Sequence, residues 1–545
     1  MDEKSLGELM AERRKKLDAI EAAKVDAFTH RFERTAMAAD IVSNFAKIPE
    51  DTRLESEHVS VAGRVRSIRG HGKLIFCHIE DFSGKVQVLF EAETLGRKFS
   101  FTDNLNSGDF IGVSGFIYKT KRGEVSVWAR DFMILTKSLR PLPSEWFGLK
   151  DKEAKYRQRY VDLVLSQETR ETFRKRAAII QAFREFFISR GYIEVETPIL
   201  QPIYGGTNAR PFESKLNALD MKVYMRISNE LYLKRLLVGG YEKIFEFSQD
   251  FRNEGIDKTH NPEFLLMETM WAYADYRDNM DLTEELLEFI TKKVLGTTKV
   301  QYGSNVIDFR RPWTRITMLD AIKKHTGMDF DLPPAKAAQL AEKIGVEVKK
   351  DMTWGMIVNK VFEEKVEHHL IQPTIVYDFP SETAPLAKKR EDEPRFSERF
   401  EPYANGWELG NSYSELNDPR VLRANWDAQE KALKKGDEEA QRMDTDFLRA
   451  LEYGMPPASG LGIGMDRVII LLTNSESIRD VILFPFMRPE DTEEPLAPVK
   501  VPEHKKHHHV PAQKPMDKAL HEFEKAAKPA HHGKVEKPHL KRLNL

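Results

Sequence analysis

Two stretches far apart in the chain constrain its fold more than any other feature: Phe251-Arg252-Asn253-Glu254 running on to His260-Asn261-Pro262-Glu263-Phe264, and Gly460-Leu461-Gly462-Ile463-Gly464-Met465-Asp466-Arg467. Each places one arginine where bulk is otherwise avoided. An arginine closing a glycine-rich run suits a site where backbone approaches a ligand closely while a fixed cation meets phosphate oxygens. Two such arginines from remote segments imply a fold that grips a polyphosphate at both ends.

At 545 residues the chain exceeds one ordinary domain, and a span of about 100–200 residues per domain divides it into about three. Hydrophobic residues at 41% and charged residues at 31% suffice for a packed interior and exclude wholesale disorder. The single cysteine, Cys77, excludes intrachain disulfides and a cysteine-built zinc site, and reads as a core residue in a reducing compartment. The charged start, Met1-Asp2-Glu3-Lys4, and the lack of an apolar run long enough to span a bilayer point to a cytoplasmic protein. The formal net charge of −2 conceals an uneven distribution, because the segment 499–545 is rich in Lys, His and Pro. A near-neutral total therefore does not exclude RNA binding, which depends on where basic side chains cluster.

Residues 1–54 read as an N-terminal helical segment, with a helix over 6–23 and Arg13, Arg14, Lys15 and Lys16 in one cluster. That cluster is a solvated face or, alternatively, a face that touches RNA. From 59 to 135 the pattern changes to short alternating runs at 61–65, 74–79, 86–90, 110–113 and 125–128, punctuated by Gly70, Gly72, Gly84, Gly108 and Gly123. Five strands at this spacing predict a small β-barrel of OB type over 55–140. Arg140-Pro141-Leu142-Pro143 forms a stiff linker into a larger domain, 141–491. Within it, 177–190 predicts an amphipathic helix ending near Gly191, and Tyr192 to Pro198 an extended segment. Between 275 and 369 the runs 281–294 and 335–344 predict an inserted or peripheral helical region.

In this order and spacing the two arginine stretches resemble motifs 2 and 3 of the class II aminoacyl-tRNA synthetases, and the residues between them are most similar to the lysine-specific members. The resemblance covers nearly the whole chain apart from its tail. It implies an α+β fold, with an OB-type barrel followed by a mixed, mostly antiparallel sheet flanked by helices. It makes the helix and extended segment ending at Pro198 the motif 1 of a homodimer interface. No His-Ile-Gly-His or Lys-Met-Ser-Lys-Ser signature of class I enzymes is present, so no Rossmann domain is expected. The implied reaction activates lysine with ATP and passes it to the 3′ end of tRNA(Lys).

Activation brings two negative groups together, so it calls for arginine forks and Mg²⁺ rather than a general base. By resemblance Arg252 and Arg467 are the catalytic cations: Arg252 bridges the amino acid carboxylate and the α-phosphate, and Arg467 meets the distal phosphates. Phe264 stacks on adenine, His260 reaches the phosphates and Glu254 lies near the purine edge. Glu401 and Glu408 match the family's Mg²⁺ ligands, a role that suits paired carboxylates beside phosphate oxygens. A lysine ammonium buried in a pocket needs carboxylate partners. Glu230, with the backbone of Gly206, matches the α-amino site, Glu268 and Glu415 face the ε-ammonium, and Asn411 meets the α-carboxylate.

The chain departs from the common pattern at Met270, where a tyrosine is usual, and at Ser412-Tyr413, where Gly-Phe is common; Thr207-Asn208 after Gly206 is a further departure. The hydroxyl of Tyr413 is expected to replace part of the hydrogen bond lost at 270, and a looser pocket is the alternative. In the barrel, Arg69, Phe76, Gln87 and Glu124 match positions that read a U-rich anticodon, by stacking and base-edge hydrogen bonds. The tail, 492–545, with Lys505-Lys506-His507-His508-His509 among several prolines, predicts disorder and a short helix over 516–527. It reads as a basic tether for tRNA, an inert extension or a metal-binding segment. Two rivals to the lysine ligase stand beside it: a ligase for a lysine analogue or a protein acceptor, and a catalytically silent RNA-binding paralogue.

Overall fold

The computed structural model describes residues 5–143, 151–350, 352–433 and 443–489; the expected tail and its short helix lie outside them. Helix α1 (Leu6–Ala22) opens with Ser5 and Glu8 capping each other's backbone. It divides the basic cluster. Arg14 and Lys15 are exposed, whereas Arg13 is buried and donates to Ser107 O at 2.8 Å, Ser138 O at 3.0 Å and Ser138 Oγ at 3.2 Å. The cluster is therefore not one solvated or RNA-facing surface: one of its arginines fastens α1 to the segment that follows the barrel.

The alternating runs form β1 (Thr52–His71), β2 (Leu74–Glu80), β3 (Lys85–Glu91), β4 (Phe110–Lys119) and β5 (Val125–Thr136), closed in the order β1-β2-β3-β5-β4. Alternation sends Cys77, Ile79, Val86, Val88 and Phe90 into the barrel core and leaves Phe76, His78, Gln87 and Leu89 on the other face.

Helix α2 (Gln167–Ile188) starts ten residues before the apolar stripe that betrays it. Its first turns are held by charge instead. Arg170 pairs with Glu80 of the barrel at 2.7 Å and Arg176 with Asp466 at 2.6 Å, while Phe183, Phe186 and Phe187 further along enter the main core. After β6 (Ile193–Glu194) come α3 (Glu230–Val238), β7 (Lys243–Phe251), β8 (Glu263–Ala272) and α4 (Tyr276–Leu295). The span expected as a helical insertion is more varied than that. Helix α4 buries Met280, Leu286, Leu287 and Ile290 in the main core. A β-hairpin, Lys299–Tyr302 with Asn305–Asp308, follows it, then β9 (Thr314–Thr317). Helices α5 (Pro334–Lys343) and α6 (Trp354–Lys365), with the helix Met318–Thr326, pack into a second core that also takes in Val376 and Tyr403 of the sheet. Strands of four residues are too short for alternation to be read from sequence.

The chain then lays down β10 (Thr374–Tyr377), β11 (Arg399–Ala404), β12 (Gly410–Ser414), β13 (Ala458–Gly464) and α7 (Met465–Thr473). One sheet runs β9-β10-β11-β12-β13-β8-β7-β6, with Trp407–Glu408 added on β11. It is antiparallel except for the parallel pairs at its two ends. This is the mixed sheet the sequence implied, in an α+β chain. Among the described residues no helix is long and apolar enough to cross a membrane.

Candidate active site

Strand alternation builds the site. On β8, Phe264, Glu268 and Met270 line a cavity of about 590 Å³, while Met267 enters the core. On β13, Leu461 and Ile463 enter the core and Gly460, Gly462 and Gly464 line the cavity. Register then sets rows across β8, β13 and β12: Glu268, Gly462 and Asn411 share one row, and Met270, Gly460 and Tyr413 share another. Met270 and Tyr413, two of the departures noted in the sequence, thus flank one glycine, about 10 Å apart at two strand spacings. A Cβ at Gly460 would lie 2.2 Å from Glu415 Oε1 and 3.0 Å from Met270 Sδ. Ser412 plays no part in the pocket. Its hydroxyl lies on the opposite face, donating to Gly460 O at 2.6 Å and accepting from Asn279 Nδ2 at 3.3 Å.

One end of the cavity is acidic. Arg226 fixes the entry to α3 by donating to Gln249 O at 2.8 Å and to Glu246 Oε1 at 2.8 Å, and Asn229 adds a bond to Glu246 Oε2 at 2.8 Å. That brings Ser228 and Glu230 beside Gly206, whose φ of +95° and a Cβ position 2.8 Å from Ser228 Oγ admit only glycine. Glu230, the first residue of α3, and Glu415, just past β12, share one cation: Lys234 Nζ lies 2.5 Å from each. Sequence reasoning passed over Lys234, although a lysine four residues after a glutamate on a helix is a readable ion-pair signal.

Glu268 stands apart. Ser228 Oγ donates to its Oε1 at 3.5 Å, and its buried Oε2 has no hydrogen-bond partner among the described residues. Burial pushes its carboxyl well above the ordinary range, and the charges of Glu230, Asp250, Glu246 and Glu415 push the same way. Burial likewise raises the Tyr413 phenol, which also hydrogen-bonds to Glu230. Asp250 is pushed up to about 6 by burial, against the pull of Arg226 and Arg252.

The other end is cationic. Arg252 has its guanidinium 5.0 Å from the Phe264 ring centroid, and its buried Nε lacks a hydrogen-bond partner among the described residues. Arg467 donates to Glu408 O at 2.7 Å and lies 3.4 Å from Glu408 Oε2. Its Nη2 is 3.4 Å from His260 Nε2, and the other His260 nitrogen is 2.8 Å from Asp257 Oδ2. Glu254, on the exposed part of this loop, also lines the cavity. Glu401 and Glu408 both line it; Glu401 is held by Arg399 at 2.5 Å and by the Tyr403 hydroxyl at 2.5 Å. Burial pushes Glu401 up and the Glu408 charge adds to this, while Arg399 opposes both. Glu367 is pushed up to about 7 by burial, Glu408 and Glu363. Among the described residues no group of three or more metal-ligating side chains is preassembled.

In the barrel, Arg69 pairs across to Phe76, and Phe76 packs with Leu89, Phe116 and Trp128 outside the barrel core. Gln87 Nε2 donates to Glu124 Oε2 at 2.6 Å, and Glu124 Oε1 lies 2.7 Å from His78 Nε2. Arg53 stacks on Trp128 with its guanidinium carbon 3.2 Å from the ring centroid. The four expected residues thus lie on neighbouring strands and the adjoining turn; His78, Trp128 and Arg53 join them.

An acidic pocket and two arginines at the opposite end of one cavity over a mixed sheet, in a chain with an OB-type barrel, narrow the family sharply. Residues 151–488 match the family described as tRNA synthetases class II (D, K and N), and residues 59–135 match the OB-fold nucleic acid binding domain. The chain belongs to the class II tRNA synthetases. Among curated relatives of this synthetase, the lysine-tRNA ligase of Carboxydothermus hydrogenoformans is 50% identical over 494 residues, covering 90% of this chain and 100% of that protein. That of Pelotomaculum thermopropionicum is 50% identical over 496 residues, 90% of this chain and 96% of its own. That of Bacillus mycoides is 49% identical over 492 residues, 90% and 99%. Within the class, the synthetase falls in the lysine-tRNA ligase family.

The glycine floor gives a sharp test. Gly460→Ala is expected to lower kcat/KM for the amino acid substrate by roughly 100-fold, because a Cβ there collides with a carboxylate pinned by Lys234; such a clash costs about 1–3 kcal/mol and displaces Glu415 as well. Steady-state kinetics with a near-native melting curve would establish it, and an unchanged kcat/KM would show that the pocket lies elsewhere.

Proposed function

We propose that this chain is a lysine-tRNA ligase whose activation site is the cavity between Glu268 and Arg467. Lysine and ATP give lysyl-adenylate and diphosphate, and the lysyl group passes to the 3′ end of tRNA(Lys). The observation that carries the reading is Glu268: a half-buried glutamate whose inner oxygen Oε2 is buried and unpartnered among the described residues, in a cavity whose opposite end presents Arg252 and Arg467. A buried carboxylate without a partner is costly, and an incoming ammonium removes that cost.

Glu268 takes the ε-ammonium, with Glu415 behind it. Glu230 and the backbone of Gly206 take the α-ammonium, and Asn411 meets the α-carboxylate. The Tyr413 hydroxyl donates to Glu230 and keeps lone pairs free for the ammonium, compensating in part for Met270. Arg252 neutralises the lysine carboxylate and the α-phosphate as the carboxylate oxygen attacks phosphorus, and diphosphate leaves toward Arg467 and His260. Phe264 stacks on adenine and Glu254 sits at its edge. Glu401 and Glu408 would hold Mg²⁺, which when bound neutralises phosphate charge. Their mutual repulsion suits a cation, and a pair of carboxylates beside substrate phosphates would be enough to hold it without a preassembled cage.

Arg69, Phe76, Gln87 and Glu124 read the anticodon. Apolar side chains exposed around motif 1, Ile188, Ile193, Ile199 and Leu200, support a homodimer, and a single buried cysteine suits the cytoplasm. A second reading, a ligase for a lysine analogue, rests on Met270. ATP-diphosphate exchange with lysine, β-lysine, ornithine and arginine decides between them: lysine is expected to drive the fastest exchange. Glu268→Gln should lower its kcat/KM by about 2–5 kcal/mol, roughly 30-fold or more, and Tyr413→Phe should raise the lysine KM several-fold. Fastest exchange with another amino acid would establish the analogue reading, and exchange with none would leave only an RNA-binding role.

A further inference from the structure

Lys234 lies one turn into α3, with its side chain 1% exposed and its Nζ 2.5 Å from both Glu230 Oε1 and Glu415 Oε2. The same nitrogen is 5.5 Å from the Tyr413 ring centroid. Burial opposes its charge, and the two carboxylates more than restore it. The other buried acids near the pocket are matched elsewhere: Arg226 pairs with Glu246 at 2.8 Å and with Asp250 at 3.3 Å, and Arg252 also acts on Asp250. Three carboxylates, Glu230, Glu268 and Glu415, therefore share one resident ammonium. Once all three are ionised, two negative charges are left over, and free lysine brings two ammonium groups.

We propose that Lys234 is a positioning residue and fixed internal counter-ion: it pins Glu230 and Glu415 and sets the pocket's residual charge to match the two ammonium groups of lysine. This rests on the pocket reading above and adds to it a residue that meets no substrate atom. Glu230 and Glu415 are not equivalent to Glu268. Both are held by Lys234 before substrate arrives and Glu268 is not, although burial still pushes Glu415 up to about 8 against the pull of Lys234.

Removing Lys234 leaves three unmatched carboxylates facing one another, Tyr413 and the Glu246–Asp250 pair, which retain protons until the pH is higher. The sign follows: protons must leave before two ammonium groups can bind, so lysine binding improves as pH rises. In Lys234→Met, the KM for lysine is expected to rise roughly tenfold or more at neutral pH while the KM for ATP changes little, and the pH of lowest lysine KM is expected to move up by about one unit or more. Glu415→Gln alone, which leaves one charge too few, should also raise the lysine KM. The double variant Lys234→Met/Glu415→Gln restores the balance and should bind lysine better than Glu415→Gln alone, a coupling that needs no folded Lys234→Met single variant.

Lysine-dependent exchange at a series of pH values in the four proteins provides the test. An unshifted pH profile in Lys234→Met, equal losses in the KM of lysine and of ATP, or a double variant no better than Glu415→Gln would each overturn the counter-ion role. Absence of lysine-dependent exchange in the unmodified chain would instead overturn the pocket reading itself.

Discussion

Buried negative charge is the constraint on which the site depends. Glu230, Glu246, Asp250, Glu268 and Glu415 converge on one region of the sheet, and four of the five have less than a tenth of their surface exposed. No fold holds such a group without cations, since a lone ionised carboxylate in a dry interior protonates instead. Arg226 and Lys234 provide the resident cations, and each lies in the short segment that turns into α3 or on its first turns. The placement of that helix against β7 is therefore set as much by charge matching as by Leu231, Leu233 and Leu237 in its apolar core.

The sheet turns this charge into a binding site. Alternation divides β8 and β13 into a core face and a cavity face, and glycine at every second position of β13 keeps the cavity open above Leu461 and Ile463. A one-residue slip in the β8–β13 register would send Glu268 toward the core and Met267 into the cavity. From beneath, Ser412 ties β12 to β13 and to α4, bonding to Gly460 O and to Asn279. The same alternation in the barrel keeps Val86 and Val88 inside while Gln87 meets Glu124 outside.

Much of this was legible in the chain. The five barrel strands could be read from local alternation, and the residues that line the cavity were named through the family resemblance carried by the two arginine stretches. What escaped depends on contacts between distant segments. The first turns of α2 carry no apolar stripe, since Arg170 and Arg176 hold them by ion pairs to Glu80 and Asp466. Arg13 looked like one of four surface cations until its carbonyl partners appeared. Glu268 and Glu415 ranked alike in sequence, and only the position of Lys234 separates a paired carboxylate from an unpaired one. Ser412, weighed with the pocket, lies beneath its floor for a reason of parity: neighbours in a strand face opposite sides.

The most direct measurement is calorimetric titration of lysine into the protein at neutral pH, repeated in buffers of different ionisation enthalpy. With Glu268 raised well above the ordinary carboxylate range by burial, an arriving ammonium lowers it again, so binding should expel a proton and tighten as pH rises. The observed heat should therefore vary with the buffer, and that variation should shrink in Glu268→Gln, leaving only the part due to Glu415, which burial pushes up to about 8. A heat independent of buffer in the unmodified protein, or the same proton release in Glu268→Gln, would contradict the role assigned to this carboxylate.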